Sequence, residues 1–129
     1  MSVWPLATSE GQLVSVSVRV HPNELESLLE VLAQVSFPIN PQIYHDAAVV
    51  YRYADDREET ESVTLVEFPA YEGHLAEVRA ALASYGFEPG AMLVVAMLDE
   101  IQSEAHADPP PPGAAYIARY RVKHRAAVA

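Results

Sequence analysis

The sequence predicts an α+β domain in which two helices cover one face of a four-stranded antiparallel sheet, with a further strand appended at the C-terminus. Three observations predict it. Alternating residues over Leu13–Val20 are followed after a short turn by an apolar stripe at helical spacing. The same strand-then-helix grouping recurs over residues 62–85, after a long β-branched and aromatic run at 43–53. The chain has 129 residues, 50% of them hydrophobic, so it has one domain's length and can bury one core.

Residues 1–10 read as a leader, in which Trp4 and Pro5 follow no periodicity. In the first strand Val14, Val16, Val18 and Val20 fall on one face, and Leu13, Ser15, Ser17 and Arg19 on the other. One face is therefore buried and the other partly wet. Pro22 and Asn23 end the strand. Asn23 is placed to cap the helix that follows, and Glu24 and Glu26 suit its positive end. Leu25, Leu28, Leu29, Leu32 and Val35 form that helix's stripe, and Pro38 and Pro41 stop it.

Ile43–Tyr53 reads as a long strand. Residues 54–61 are charged and lack a stripe, so they read as a solvated hairpin loop. Ser62–Phe68 is the next strand. Leu75, Val78, Leu82 and Tyr85 mark a second helix, with Gly86 at its C′ position. Ala91–Leu98 is a continuous apolar run, as in a strand covered on both faces.

Residues 102–113 are polar and end in four prolines and a glycine, the composition of an extended polyproline II linker. After it Tyr116, Ala118, Tyr120 and Val122 alternate with Ile117, Arg119, Arg121 and Lys123, a fifth strand. The chain thus divides into a domain at 11–101, a linker at 102–113, and a strand with a basic tail at 114–129. The order β-α-β-β-α-β is the split βαβ, or ferredoxin-like, arrangement. Its open sheet face carries apolar and aromatic residues and needs cover. A second copy in a homodimer or higher oligomer would supply it. So would the strand at 116–122, packed on its own chain or exchanged with a neighbour.

Net charge is −10, and its distribution is uneven. All 18 acidic groups precede residue 116, against four basic ones there, Arg19, Arg52, Arg57 and Arg79. Arg119, Arg121, Lys123 and Arg125 follow with no acid among them. An acidic body repels phosphate backbones, so nucleic acid is not the expected partner, and the basic tail should dock on an acidic surface of its own or a sister chain. No apolar run approaches the roughly 18 residues of a membrane span, and the N-terminus lacks a signal peptide's pattern. With no cysteine, the chain reads as a soluble cytoplasmic protein. It has five glycines and no Gly-rich phosphate loop, nucleophile elbow or dinucleotide fingerprint, so no cofactor is expected.

The first strand–helix unit resembles an ACT-type regulatory domain. The resemblance rests on the turn His21-Pro22-Asn23-Glu24-Leu25, which opens the helix, and on Ile39-Asn40 after it, and it spans about residues 13–98. It implies a homo-oligomer that binds an amino-acid-like molecule without catalysis, near His21, Asn23 and Asn40. Read from the residues themselves, His45 shares strand parity with Tyr51, and the two could act as an acid–base pair if that face lines a cavity. The plainer reading, which the residues favour, is a core or interface histidine with aromatic neighbours. The other histidines, His74, His106 and His124, form no metal-type motif. Asp55, Asp56, Glu58, Glu59 and Glu61 lack calcium-loop spacing and read as a hairpin tip rather than a metal site. Two alternatives stay open beside the binding domain. One is a small enzyme of the dimeric α+β-barrel kind, with a closed apolar pocket between sheet and helices holding His45 or a tyrosine. The other is an assembly protein acting through its C-terminal strand.

Overall fold

The computed structural model describes residues 6–97 and 105–124. Trp4, Pro5, the end of the expected strand at Leu98, the first part of the expected linker (residues 102–104) and Arg125 lie outside the described residues. The elements are β1 (Ala7–Thr8), β2 (Gly11–Val20), α1 (Leu25–Leu32), β3 (Gln42–Arg52), β4 (Glu58–Tyr71), α2 (Leu75–Ser84), β5 (Met92–Ala96), β6 (Ala105–Ala107) and β7 (Ala118–Val122). A single 3₁₀ turn precedes each helix, at Pro22–Glu24 and Glu72–His74. Asn23 lies inside the first of these turns, and neither that turn nor α1 is capped by a side chain.

These strands form one seven-stranded sheet, antiparallel at every pairing. β2 pairs β4 and β5 and forms a hairpin with β1, and the sheet continues from β4 through β3 and β7 to β6. The expected ferredoxin-like α+β fold with a four-stranded sheet is overturned by this arrangement. The sheet is a curled half-barrel, and helix is confined to two short segments.

Three physical causes produce the curl. β4 is 14 residues long and holds its neighbours at different places. It pairs β3 through Glu58–Glu67 and β2 through Thr64–Tyr71, and such stagger tilts strands toward barrel closure. β3 carries a bulge between Tyr44 and Ala47, which bends it and increases its twist. Finally β6 and β7 extend the sheet past β3, so the twist between neighbours accumulates over more strands. Pro69 is accommodated within β4 because it lies beyond the last β3 pair, Gln42–Glu67.

The convex face is the main core. Val14, Val16, Val18 and Val20 of β2, with Val66, Phe68 and Ala70 of β4, pack against Leu28, Val31, Leu32, Val78 and Leu82 of the helices. Gly86 ends α2 with φ +85°, and the Phe87 amide donates to the Leu82 carbonyl at 3.0 Å, closing the helix as its position predicts. The concave face holds a smaller cluster, Ala47, Val49, Val63 and Leu65, flanked by Tyr44 and Tyr51. No helix among the described residues is long and apolar enough to cross a membrane.

Candidate functional site: two clefts in a half-barrel

The concave face is read most directly along β2, whose residues Ser15, Ser17 and Arg19 form one row. Ser17 sits at the centre. Arg121 of β7 reaches across to it, its Nη1 donating to the Ser17 carbonyl at 2.8 Å. Three strand spacings separate β7 from β2, about 14 Å in a flat sheet. That exceeds an arginine's reach, so the contact exists only because the sheet curls.

Arg121 is 2% exposed and is held on every side. Its Nε donates to Asp108 Oδ2 at 2.6 Å and its Nη2 to the Gly90 carbonyl at 3.1 Å. Asp108 also accepts from Arg119 Nη2 at 3.2 Å, and Arg119 donates further to the Pro109 carbonyl and the Tyr116 hydroxyl. Burial lowers the Arg121 guanidinium from its ordinary value, and the Asp108 carboxylate opposes that shift. Beside this network Lys123 pairs with the buried Glu67 at 3.3 Å. The basic C-terminal strand thus docks on acids of its own chain. Asp108 follows directly on β6, within the stretch expected to be a linker.

This plug divides the concave face into two clefts. The first, about 470 Å³, lies at the end of the sheet beside the α2–β5 connection. Arg19, His21, Glu24, Tyr51, Glu61 and Glu88 line it over the floor residues Val63 and Ala91. Tyr51 donates its hydroxyl to Glu61 Oε1 at 3.0 Å. Burial first, and the Glu61 carboxylate second, raise the Tyr51 phenol above its usual range, so it stays a donor. Arg19 makes one long hydrogen bond, Nη2 to the Gly90 carbonyl at 3.4 Å, and no ion pair with any described carboxylate. A guanidinium has five N–H donors, so most of its hydrogen-bonding capacity is unspent.

The second cleft, about 340 Å³, is lined by Ser15, Asn40, Gln42, Glu67, Phe68, Pro69 and Met97. The sequence candidates therefore separate. His21 and Tyr51 meet in the first cleft, and Asn40 lines the second. Asn23 is exposed and lines neither. His45 is exposed inside the β3 bulge. The bulge adds a residue, so Tyr44 joins Ala47, Val49 and Tyr51 on the concave face and His45 is not brought to Tyr51.

Arg19 and Ser15 escaped sequence reasoning because a half-wet strand face was expected to be a surface, not a cleft wall. Their alternation with the buried valines was the available signal. Glu58, Glu59 and Glu61 of the charged stretch are engaged across the β3–β4 hairpin, with Arg52, Tyr53 and Tyr51 respectively. The layer between sheet and helices, where an enzyme pocket was expected, is packed with Val16, Val18, Leu28, Phe68, Val78 and Leu82. No family model, no curated protein and no solved structure matches this chain, so the two clefts stand on their own chemistry.

Proposed function

We propose that the protein is a non-enzymatic binding domain whose first cleft takes an amino-acid-like zwitterion. The supporting observation is Arg19, a half-buried residue whose guanidinium has one weak protein partner, in the same cleft as a carboxylate, Glu61, steadied by Tyr51. A ligand carboxylate would satisfy Arg19 in bidentate fashion. A ligand ammonium would take the remaining Glu61 oxygen, with Glu24 and Glu88 adding negative potential around it. The volume suits a molecule of that size. Among the described residues the lining has no serine, threonine, cysteine or lysine, and the Tyr51 phenol beside Glu61 is held in its protonated form, which favours binding over catalysis.

The protein acts in this reading as a homo-oligomer. Among the described residues β6 pairs only β7, so the sheet ends there on an edge that a second copy could extend. Light scattering behind size exclusion tests that part, and a monomer at all concentrations overturns it. Binding is tested by thermal shift and calorimetry against the common amino acids at about 10 mM, where a ligand at 100 times its Kd stabilises by about 2.7 kcal/mol. At least one should stabilise the native protein, and Arg19→Met should abolish that response while keeping its unliganded melting point. No response from any amino acid overturns the proposal.

A further inference from the structure

The second cleft has a different chemistry, and nothing about it depends on the first. Ser15 is 5% exposed, lines the cleft, and its hydroxyl has no hydrogen-bond partner among the described residues. The hydroxyl oxygen is not among the buried side-chain atoms left without a partner, so on an otherwise buried residue it is open to the cleft. It therefore stands ready for an atom that enters the cleft. Gln42 accepts from the Tyr44 hydroxyl through Oε1 at 2.7 Å, which leaves its amide N–H groups as donors. Asn40 is exposed at the rim and offers both a donor and an acceptor. Phe68, Pro69 and Met97 supply apolar wall. The charge present is already compensated, since Glu67 is paired with Lys123 at 3.3 Å.

We infer that this cleft is a second binding site, for an uncharged small molecule that both donates and accepts hydrogen bonds. The free groups are a hydroxyl and two amides, with no uncompensated charge, so ionic ligands gain nothing here and lose solvation. The complementary ligand is either a carboxamide or a polyol such as a monosaccharide. Each pairs with side-chain amides in both directions and presents an apolar face to Phe68, Pro69 and Met97. Ser15 faces the ligand at the inner end and Asn40 at the rim.

The experiment is saturation-transfer NMR and calorimetry on the full chain with two probes, nicotinamide for the carboxamide arm and glucose for the polyol arm. One of them should bind, and which one identifies the source of the shared chemistry. Ser15→Val, which suits a strand and fills the space at the hydroxyl, should weaken that binding about tenfold or more. Asn40→Ala, at an exposed position that leaves folding untouched, should weaken it about threefold. Arg19→Met, in the other cleft, should leave it unchanged, so this site and the amino-acid site succeed or fail separately. Failure of both probes to bind at about 50 mM, where a Kd near 1 mM would saturate, overturns the inference. So does binding that is insensitive to both Ser15→Val and Asn40→Ala.

Discussion

At Asp108 one carboxylate serves two guanidiniums, Arg119 at 3.2 Å and Arg121 at 2.6 Å, all three nearly excluded from water. Removing one member of a buried set strands the others, which costs about 3–5 kcal/mol. Asp108→Ala should lower urea-unfolding stability by about that much, and a loss under about 1 kcal/mol would mean that the network carries little of the fold. The exposed pairs Arg52–Glu58 and Arg57–Glu59 should each be worth under about 1 kcal/mol by double-mutant cycle. A pH-dependent tie lies elsewhere. Glu77 accepts from the Ser36 hydroxyl at 2.6 Å and its amide at 2.7 Å, and these bonds hold its carboxyl below the ordinary value of 4.5. A depressed folded-state pKa adds stability above the unfolded value, lost as pH falls through the folded one. Ser36→Ala should therefore destabilise at neutral pH and differ little from the native protein at about pH 2–3, as chemical denaturation at the two pH values would show.

At the scale of elements, β7 does what the helices do not. It pairs β3 from Ala48 to Arg52 and brings Arg121 to the concave face, while Ala48, Val49 and Val50 beneath it are buried. A chain ending at Gly113 should lose cooperative unfolding by circular dichroism, because it exposes the β3 edge and strands Asp108 and Glu67. A sharp, native-like transition would show that β7 is an accessory. The β1–β2 hairpin has a different device. Gly11 has φ +94°, and a Cβ there would lie 2.9 Å from the Glu72 side chain. The Gln12 amide also donates to Glu72 Oε1 at 2.8 Å, so the hairpin docks on the 3₁₀ turn before α2. Gly11→Ala combines left-handed strain with that close approach and should cost about 1–3 kcal/mol in a melting experiment.

Across the whole molecule the charge is separated by depth. The buried concave face joins Arg119, Arg121 and Lys123 to Asp108 and Glu67, while most carboxylates lie outside on a chain of net charge −10. Repulsion among the outer carboxylates is screened by salt, whereas the buried pairs are screened much less. Raising sodium chloride from about 10 mM to about 0.15 M should therefore raise the melting temperature by about 2–4 °C. A fall on adding salt would show that exposed ion pairs dominate instead.

Local periodicity was enough to find most of the elements. The valines at 14, 16, 18 and 20 interact with the strand's own pleat, and Leu25, Leu28 and Leu32 with their own helix, so neighbours in sequence reveal them. The alternation from Tyr116 to Lys123 and the left-handed Gly86 were legible for the same reason. How the strands assemble was not. The stagger along β4 and the added residue at the β3 bulge depend on partners far away in sequence, and they turned an expected four-stranded sheet into a curled seven-stranded one. The same holds for the sites. A lone Asp108 beside four prolines reads as linker, and its burial is tolerable only because Arg119 and Arg121 fold over it. The sequence by itself determined which faces are apolar and that the C-terminal bases would seek acids of their own or a neighbouring chain. Only the tertiary structure decided that Ser15, Ser17 and Arg19 look into a half-barrel, because curvature arises from pairing across the sheet and leaves no local pattern.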